Sequence, residues 1–202
     1  MTTEGSASRR GRKPAASRAI LEEAAGELFL EQGYAATTIE QIAQRAGVSR
    51  NTFFNYFAAK SDLLWSEVDA SADWLREELA ARPAEEPPLD AVCAAFEGAA
   101  SRFGPARLPL AATQFEAMGI AGELQAAAVP RFARLAGVVE AFLVSRGLDT
   151  TTARTIAFAS VAAAVAAAAA WAGAGVGRGS LAPYVLAAVE PVCRGFASEG
   201  ER

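Results

Sequence analysis

Apolar and polar positions along the 202-residue chain recur almost throughout at the three- and four-residue spacing of helices. Ile20, Ala24, Leu28 and the adjacent Phe29 form one such stripe, which predicts a first helix over about residues 16–32, closed by Gly33 and Tyr34. Ile39, Ile42, Ala43 and Ala46 make the apolar face of a second, shorter helix, with Gln41, Gln44 and Arg45 lying off it. Its start carries two overlapping cap signatures, Thr37 with Glu40 and Thr38 with Gln41, each at the spacing that satisfies free backbone N–H groups of a first turn. Gly47 ends this helix, because glycine takes the left-handed conformation that bends the chain sharply. Val48 then fills the angle, Ser49 is the natural cap of a third helix, and Phe53 and Phe57, four apart, point from it into a core.

A fourth helix is expected over residues 61–81, with Leu64, Val68 and Leu75 among its apolar positions and Pro83 beyond its end. Arg82 to Pro88, with three prolines and two glutamates, reads as a linker. Further helices are expected over about 89–103, 107–118, 122–146, 150–174 and 180–197. Gly104-Pro105, Gly119 to Gly122, Gly147 to Asp149 and Gly173 to Gly179 separate them. Pro130 should interrupt or kink the longest, and Pro183 suits the first turn of the last. No alternating strand pattern competes, so the expected fold class is all-α. It comprises a flexible basic arm (1–15), a three-helix helix-turn-helix domain (16–60) and a helical C-terminal domain (61–202).

The third helix carries the chemistry. Arg50, Asn51, Thr52 and Asn55 place base-edge and phosphate hydrogen-bonding groups on its leading outer face, with aromatics behind, a pattern suited to a DNA major groove. Lys60, at the start of the fourth helix, would add a cation to free backbone N–H groups and clamp a phosphate; the bland alternative is an ordinary surface lysine. Arg9, Arg10, Arg12 and Lys13 cluster on the Gly/Ser/Pro-rich arm, which either approaches phosphates and a minor groove or is simply a solvated tail. The net charge of −4 is uneven: residues 1–60 hold 8 basic and 6 acidic residues, leaving 11 and 17 for the remainder. The acidity therefore belongs to the second domain.

Histidine is absent, which removes Ser-His and Cys-His catalysis and the commonest metal ligand. No catalytic residue, metal site or cofactor is expected, and the chain is not expected to be an enzyme. Cys93 and Cys193 are distant in sequence and set in apolar helical patterns, which favours buried reduced thiols over a redox switch or metal site. No secretory leader pattern opens the chain, so a cytoplasmic location is expected. Between Arg154 and Arg178 run 23 residues without a charge, long enough to span a bilayer, but most are alanine and few insert strongly. A helix buried on nearly every side by its own chain or by a second copy, rather than a membrane span, is the expectation.

The residues from Ile20 to Leu63 resemble the TetR family of bacterial one-component regulators. Ile20, Ala24, Leu28-Phe29, Gln32-Gly33-Tyr34, Thr38, Ile42-Ala43 and Ala46-Gly47-Val48-Ser49 carry the likeness, which continues through Thr52-Phe53-Phe54-Asn55-Tyr56-Phe57, Lys60 and Leu63. The resemblance covers about residues 16–65. It implies a homodimer on an inverted-repeat DNA operator, with Thr38, Arg50, Asn51, Thr52, Asn55, Tyr56 and Lys60 as contact residues. Family members often carry a phosphate-binding tyrosine where this chain has Phe54, so Tyr56 is the expected substitute.

The resemblance also implies that the helices over 150–174 and 180–197 form a four-helix dimer interface, and that the protein acts as a repressor released by a small-molecule effector. The stretch from Leu143 to Asp149 and Trp171 look like a subgroup whose effectors include acyl-coenzyme A thioesters. Phe96, Phe103, Phe115, Met118, Phe132 and Phe142 are the candidate lining of a largely apolar pocket, with Arg102, Arg107, Arg131 and Arg134 as candidates for an anionic group. Such a ligand would act by tilting the fourth helix and changing the separation of two reading heads. A helical ligand- or protein-binding adaptor without operator specificity is the competing reading.

Overall fold

A computed structural model describes residues 14–103, 121–174 and 179–197, and among these it contains eight α-helices and no strand. They are α1 (Pro14–Gln32), α2 (Ile39–Arg45), α3 (Arg50–Phe54), α4 (Asp62–Ala80), α5 (Pro88–Ser101), α6 (Ala121–Ser145), α7 (Thr150–Gly173) and α8 (Ala182–Ala197). The basic arm and the helix expected over 107–118 lie outside the described residues. Packing divides the chain into two units between Leu63 and Leu64.

In the first unit α1 buries Leu21, Ala24, Ala25, Leu28 and Phe29. This is the full i, i+3, i+4, i+7, i+8 face of a helix packed on one side, and it shifts the expected stripe by one residue, leaving Ile20 half-buried. Of the two possible caps on α2 the structure uses the second. Gln41 N–H donates to Thr38 Oγ1 (3.2 Å) and Thr38 N–H to Gln41 Oε1 (2.8 Å), a complete capping box. Thr37 is only 1% exposed, and its hydroxyl turns away from α2 to donate to the Gly33 carbonyl (2.8 Å) while Gln32 Nε2 donates to it (3.2 Å). A buried hydroxyl must find a partner, and the carbonyls ending α1 are the nearest ones.

The turn after α2 is a Schellman motif. Val48 N–H reaches the Ala43 carbonyl (2.9 Å) and Gly47 N–H that of Gln44 (3.0 Å), with Gly47 at φ +66°. A side chain at Gly47 would meet no neighbour, so the constraint is backbone conformation rather than space.

In the second unit α5 packs on α8, α6 on α7, and α7 on α8. Val92, Phe96, Val139, Leu143, Ile156, Trp171 and Val189 lie in its core. Helix α6 runs on through Pro130; in that turn Arg131 Nη1 donates to the Ala127 carbonyl (3.1 Å). The linker between α4 and α5 is held rather than loose. Arg82 pairs with Glu86 (2.7 Å), and the Arg146 guanidinium donates to the carbonyls of Arg82 (3.3 Å), Pro83 (2.7 Å) and Ala84 (2.6 Å).

Helix α7 is not buried on every side within one chain. Its inner face holds Ala153, Ile156, Ala157, Val161 and Trp171, but Thr155, Phe158, Ala162, Ala166 and Ala169 form an exposed, uncharged outer stripe. Among the described residues it is the one helix long and apolar enough to cross a membrane by length and composition.

Candidate nucleic-acid interface

Helix α3 is short, and its geometry is set from behind and at its start. Ser49 caps it, accepting from Thr52 N–H (3.1 Å), and the two hydroxyls also hydrogen-bond (2.9 Å). Phe53 and Phe57 are buried with ring centroids 5.4 Å apart, and the Arg18 guanidinium of α1 sits 4.8 Å from the Phe57 ring. Those contacts orient the other side of α3 outward.

The outward side carries Arg50, Asn51, Phe54 and Asn55, all exposed, with Thr52 and Tyr56 half-buried beside them. Arg50 pairs with Glu40 of α2 (2.9 Å) and lies over the Phe54 ring, 5.3 Å from its centroid. Phe54, which lacks the phenol expected of a phosphate contact, thus serves as a platform for the first cation of α3. Nothing in the sequence periodicity marked Glu40 as the partner of Arg50, since the pair spans the turn. Thr38 is exposed but its hydroxyl already caps α2.

Lys60 is neither an ordinary surface lysine nor an open phosphate clamp. Its ammonium donates to the carbonyls of Tyr34 (2.7 Å) and Thr37 (2.8 Å) and stands 3.9 Å from the centroid of the Tyr34 ring. The nearby N–H groups of Ala58 and Ala59 are also engaged, by the carboxylate of Asp62 (3.0 and 2.9 Å). Asp62 follows these two N–H groups by four and three residues, so it was a readable local signal that the expectation of free N–H groups overlooked. Arg45 of α2 pairs with Glu31 (2.7 Å) and Glu27 (3.0 Å) of α1, and its hydrogen bonds hold the Glu31 carboxyl below the usual range. Being exposed, these pairs set geometry more than stability. Arg9, Arg10, Arg12 and Lys13 lie outside the described residues.

Among the described residues, the candidate ligand residues attend separate neighbours. Phe96 is 6% exposed and belongs to the core, whereas Phe132 packs on Trp65 (6.2 Å) and Phe103 on Trp74 (5.1 Å). Phe142 lies under the Arg146 guanidinium (4.9 Å), ten residues or about 15 Å of helix from Phe132. Phe115, Met118 and Arg107 lie outside the described residues. The other candidate arginines all reach the acidic edge of α4: Arg131 to Asp69 (3.0 Å), Arg134 to Asp73 (3.2 Å), and Arg102 to Glu77 (2.6 Å) and Glu78 (2.9 Å). The indole N–H of Trp65 is buried and, among the described residues, has no hydrogen-bond partner, while Arg131 covers its ring at 5.3 Å.

A three-helix head with a capped, outward-facing α3, followed by an all-helical second unit, defines a helix-turn-helix regulator. Residues 20–65 match the family described as bacterial regulatory proteins, tetR family, and residues 86–197 match the MftR C-terminal domain. The chain belongs to the TetR family, whose members are transcriptional regulators rather than enzymes.

It is 34% identical over 149 residues to the HTH-type transcriptional regulator TcmR of Streptomyces glaucescens, covering 73% of this chain and 62% of that relative. FadR of Thermus thermophilus in complex with lauroyl-CoA is 25% identical, with a TM-score of 0.50, covering 87% of this chain and 92% of that one. FadR of Bacillus subtilis in complex with stearoyl-CoA shares the fold, at 18% identity and a TM-score of 0.57 over 87% of this chain and 97% of its own.

Proposed function

We propose that this protein is a cytoplasmic homodimeric repressor that binds an inverted-repeat operator through α3 and leaves it when a largely apolar, acyl-CoA-like effector binds the second unit. The observation that carries the reading is the outward face of α3, where Arg50, Asn51 and Asn55 are exposed beside half-buried Thr52 and Tyr56. These residue types supply both base-edge and phosphate hydrogen bonds. Thr38, exposed at the start of α2, would add a further contact, and Arg9, Arg10, Arg12 and Lys13 would add salt-dependent affinity from the arm.

Dimerisation is supported by the outer stripe of α7, where Phe158 is 49% exposed and alanines follow it at helical spacing. A second copy laid on that stripe buries it, and small side chains allow the close approach a four-helix interface needs. The effector class is supported by the lauroyl-CoA held by the Thermus thermophilus relative. In this chain the arginines that grip the acidic edge of α4 supply the coupling: an anionic head group that takes Arg131 from Asp69 loosens α4, with the Trp65 indole N–H as a further donor.

Gel-shift titration of the full chain on the inverted repeat nearest its own gene tests the reading. Tight, salt-dependent binding is expected, with Arg50→Ala or Asn51→Ala costing about 1–3 kcal/mol and relaxing sequence preference. An acyl-CoA thioester should release the complex, and moving from nearly full to nearly empty occupancy requires about 5.5 kcal/mol of preference for the non-binding state. Indifference to every duplex at low salt would favour the adaptor reading instead.

A further inference from the structure

Two arginines of the first unit are paired in opposite ways. Both terminal amino groups of Arg45 are engaged by carboxylates of α1, Nη1 by Glu27 (3.0 Å) and Glu31 (2.9 Å) and Nη2 by Glu31 (2.7 Å). Arg50 meets Glu40 through Nε (2.9 Å), and among the described residues no hydrogen bond or ion pair uses its Nη1 or Nη2. A guanidinium is planar, so a carboxylate at Nε leaves the far edge, with two parallel N–H groups, open to a second partner. The group is also held in place. Buried Phe53 meets Phe54 edge-on, with ring centroids 5.4 Å apart, and the Arg50 guanidinium lies over the Phe54 ring, 5.3 Å from its centroid. Core, ring, cation and carboxylate thus form one chain of contacts that ends in solvent, where both charged side chains are 60% exposed.

Charge decides which partner fits that open edge. A phosphate favours a cation standing alone, and Glu40 beside Arg50 both neutralises the cation and repels the anion. A neutral pair of acceptors meets no such opposition. In the major groove guanine presents O6 and N7 side by side, matching the two N–H groups of a guanidinium edge, and its cytosine presents an N4 amino donor next to O6. Two donors and an acceptor on the protein therefore face two acceptors and a donor on one base pair. We propose that Arg50 and Glu40 together read a G·C pair in each half-site, Arg50 bonding guanine O6 and N7 and Glu40 accepting from cytosine N4. This rests on the operator-binding reading above and adds to it a base identity and Glu40 as a specificity residue. By turning Arg50 away from phosphates, Glu40 also lowers affinity for duplexes that lack the pair.

Selection of a random duplex library on the full-length protein gives the preferred inverted repeat, and a G·C pair should be fixed at one position of each half. Exchanging that pair for A·T should weaken wild-type binding about 5- to 150-fold. Substituting 7-deazaguanine removes N7 alone and should cost about 2- to 10-fold, the effect of one hydrogen bond. N4-methylcytosine in the opposite strand should weaken the wild type and leave Glu40→Ala unaffected. Arg50→Lys keeps a charge but has no planar fork, so it should still bind unrelated duplexes while its preference for the G·C pair disappears. Glu40→Ala should bind unrelated duplexes more tightly than the wild type does, with a smaller ratio between the selected repeat and its A·T variant. Equal wild-type affinity for guanine and 7-deazaguanine at every selected position, or an Arg50→Lys variant that selects the same repeat, would overturn the proposal and leave operator binding intact. A library from which the wild type enriches no sequence would remove operator binding itself, and this inference with it.

Discussion

The ammonium of Lys60 closes the first unit from within, bridging the carbonyls that follow α1 over the face of Tyr34. Removing it strands two acceptors and a cation–π contact, so Lys60→Met should cost about 1–3 kcal/mol of stability in the head. A fall in melting temperature that accompanies weaker DNA binding would support this internal role. Unchanged melting with weaker, less salt-sensitive binding would return Lys60 to the phosphate. Glu40 and Arg50 pose a different question, because both side chains are 60% exposed and their pair is weak enough for DNA to break. Glu40→Gln removes a negative charge beside the proposed phosphate path, so affinity should rise severalfold at low salt and converge with wild type as salt screens the difference. A gel-shift salt series on both proteins reads this directly.

Among the elements, the turn from α2 to α3 was legible because every rule that makes it is local. Gly47 must adopt positive φ, Thr38 and Gln41 cap one helix, and Ser49 caps the next. The linker after α4 was half legible. Three prolines marked it as non-helical, but nothing in its composition told that Arg146, some sixty residues away, would grip four of its carbonyls. Arg146→Met should loosen that linker and lower the melting temperature by about 2–4 °C for each kcal/mol lost. Faster amide hydrogen exchange confined to the linker and the ends of α4 and α5 would confirm the cause. The proposed ligand-binding residues were the least legible, since Phe132 and Phe142 share a helix yet attend different neighbours.

For the molecule as a whole, the outer stripe of α7 is the surface that one chain leaves unfinished. An uncharged helix face of this length in water calls for a partner, and an aspartate placed on it would be buried without a counter-charge in a dimer. Phe158→Asp should therefore yield a folded monomer with unchanged helical circular dichroism and strongly reduced operator binding, because two half-sites are no longer engaged together. Sedimentation velocity alongside the gel shift checks both halves; a dimer that persists with full DNA affinity would place the interface elsewhere.

By itself the sequence determined the eight described helices, the turn that joins α2 to α3 and the residue types facing outward from α3. These follow from interactions within a few residues of each other, namely caps, glycine conformation and apolar periodicity. Only the tertiary structure decided that Lys60 turns inward, that Arg50 rests on Phe54 beside Glu40, and that Arg102 at the end of α5 and Arg131 and Arg134 of α6 hold α4. Each of those pairings joins residues from different elements, and no spacing along a chain encodes which two helix faces will pack together.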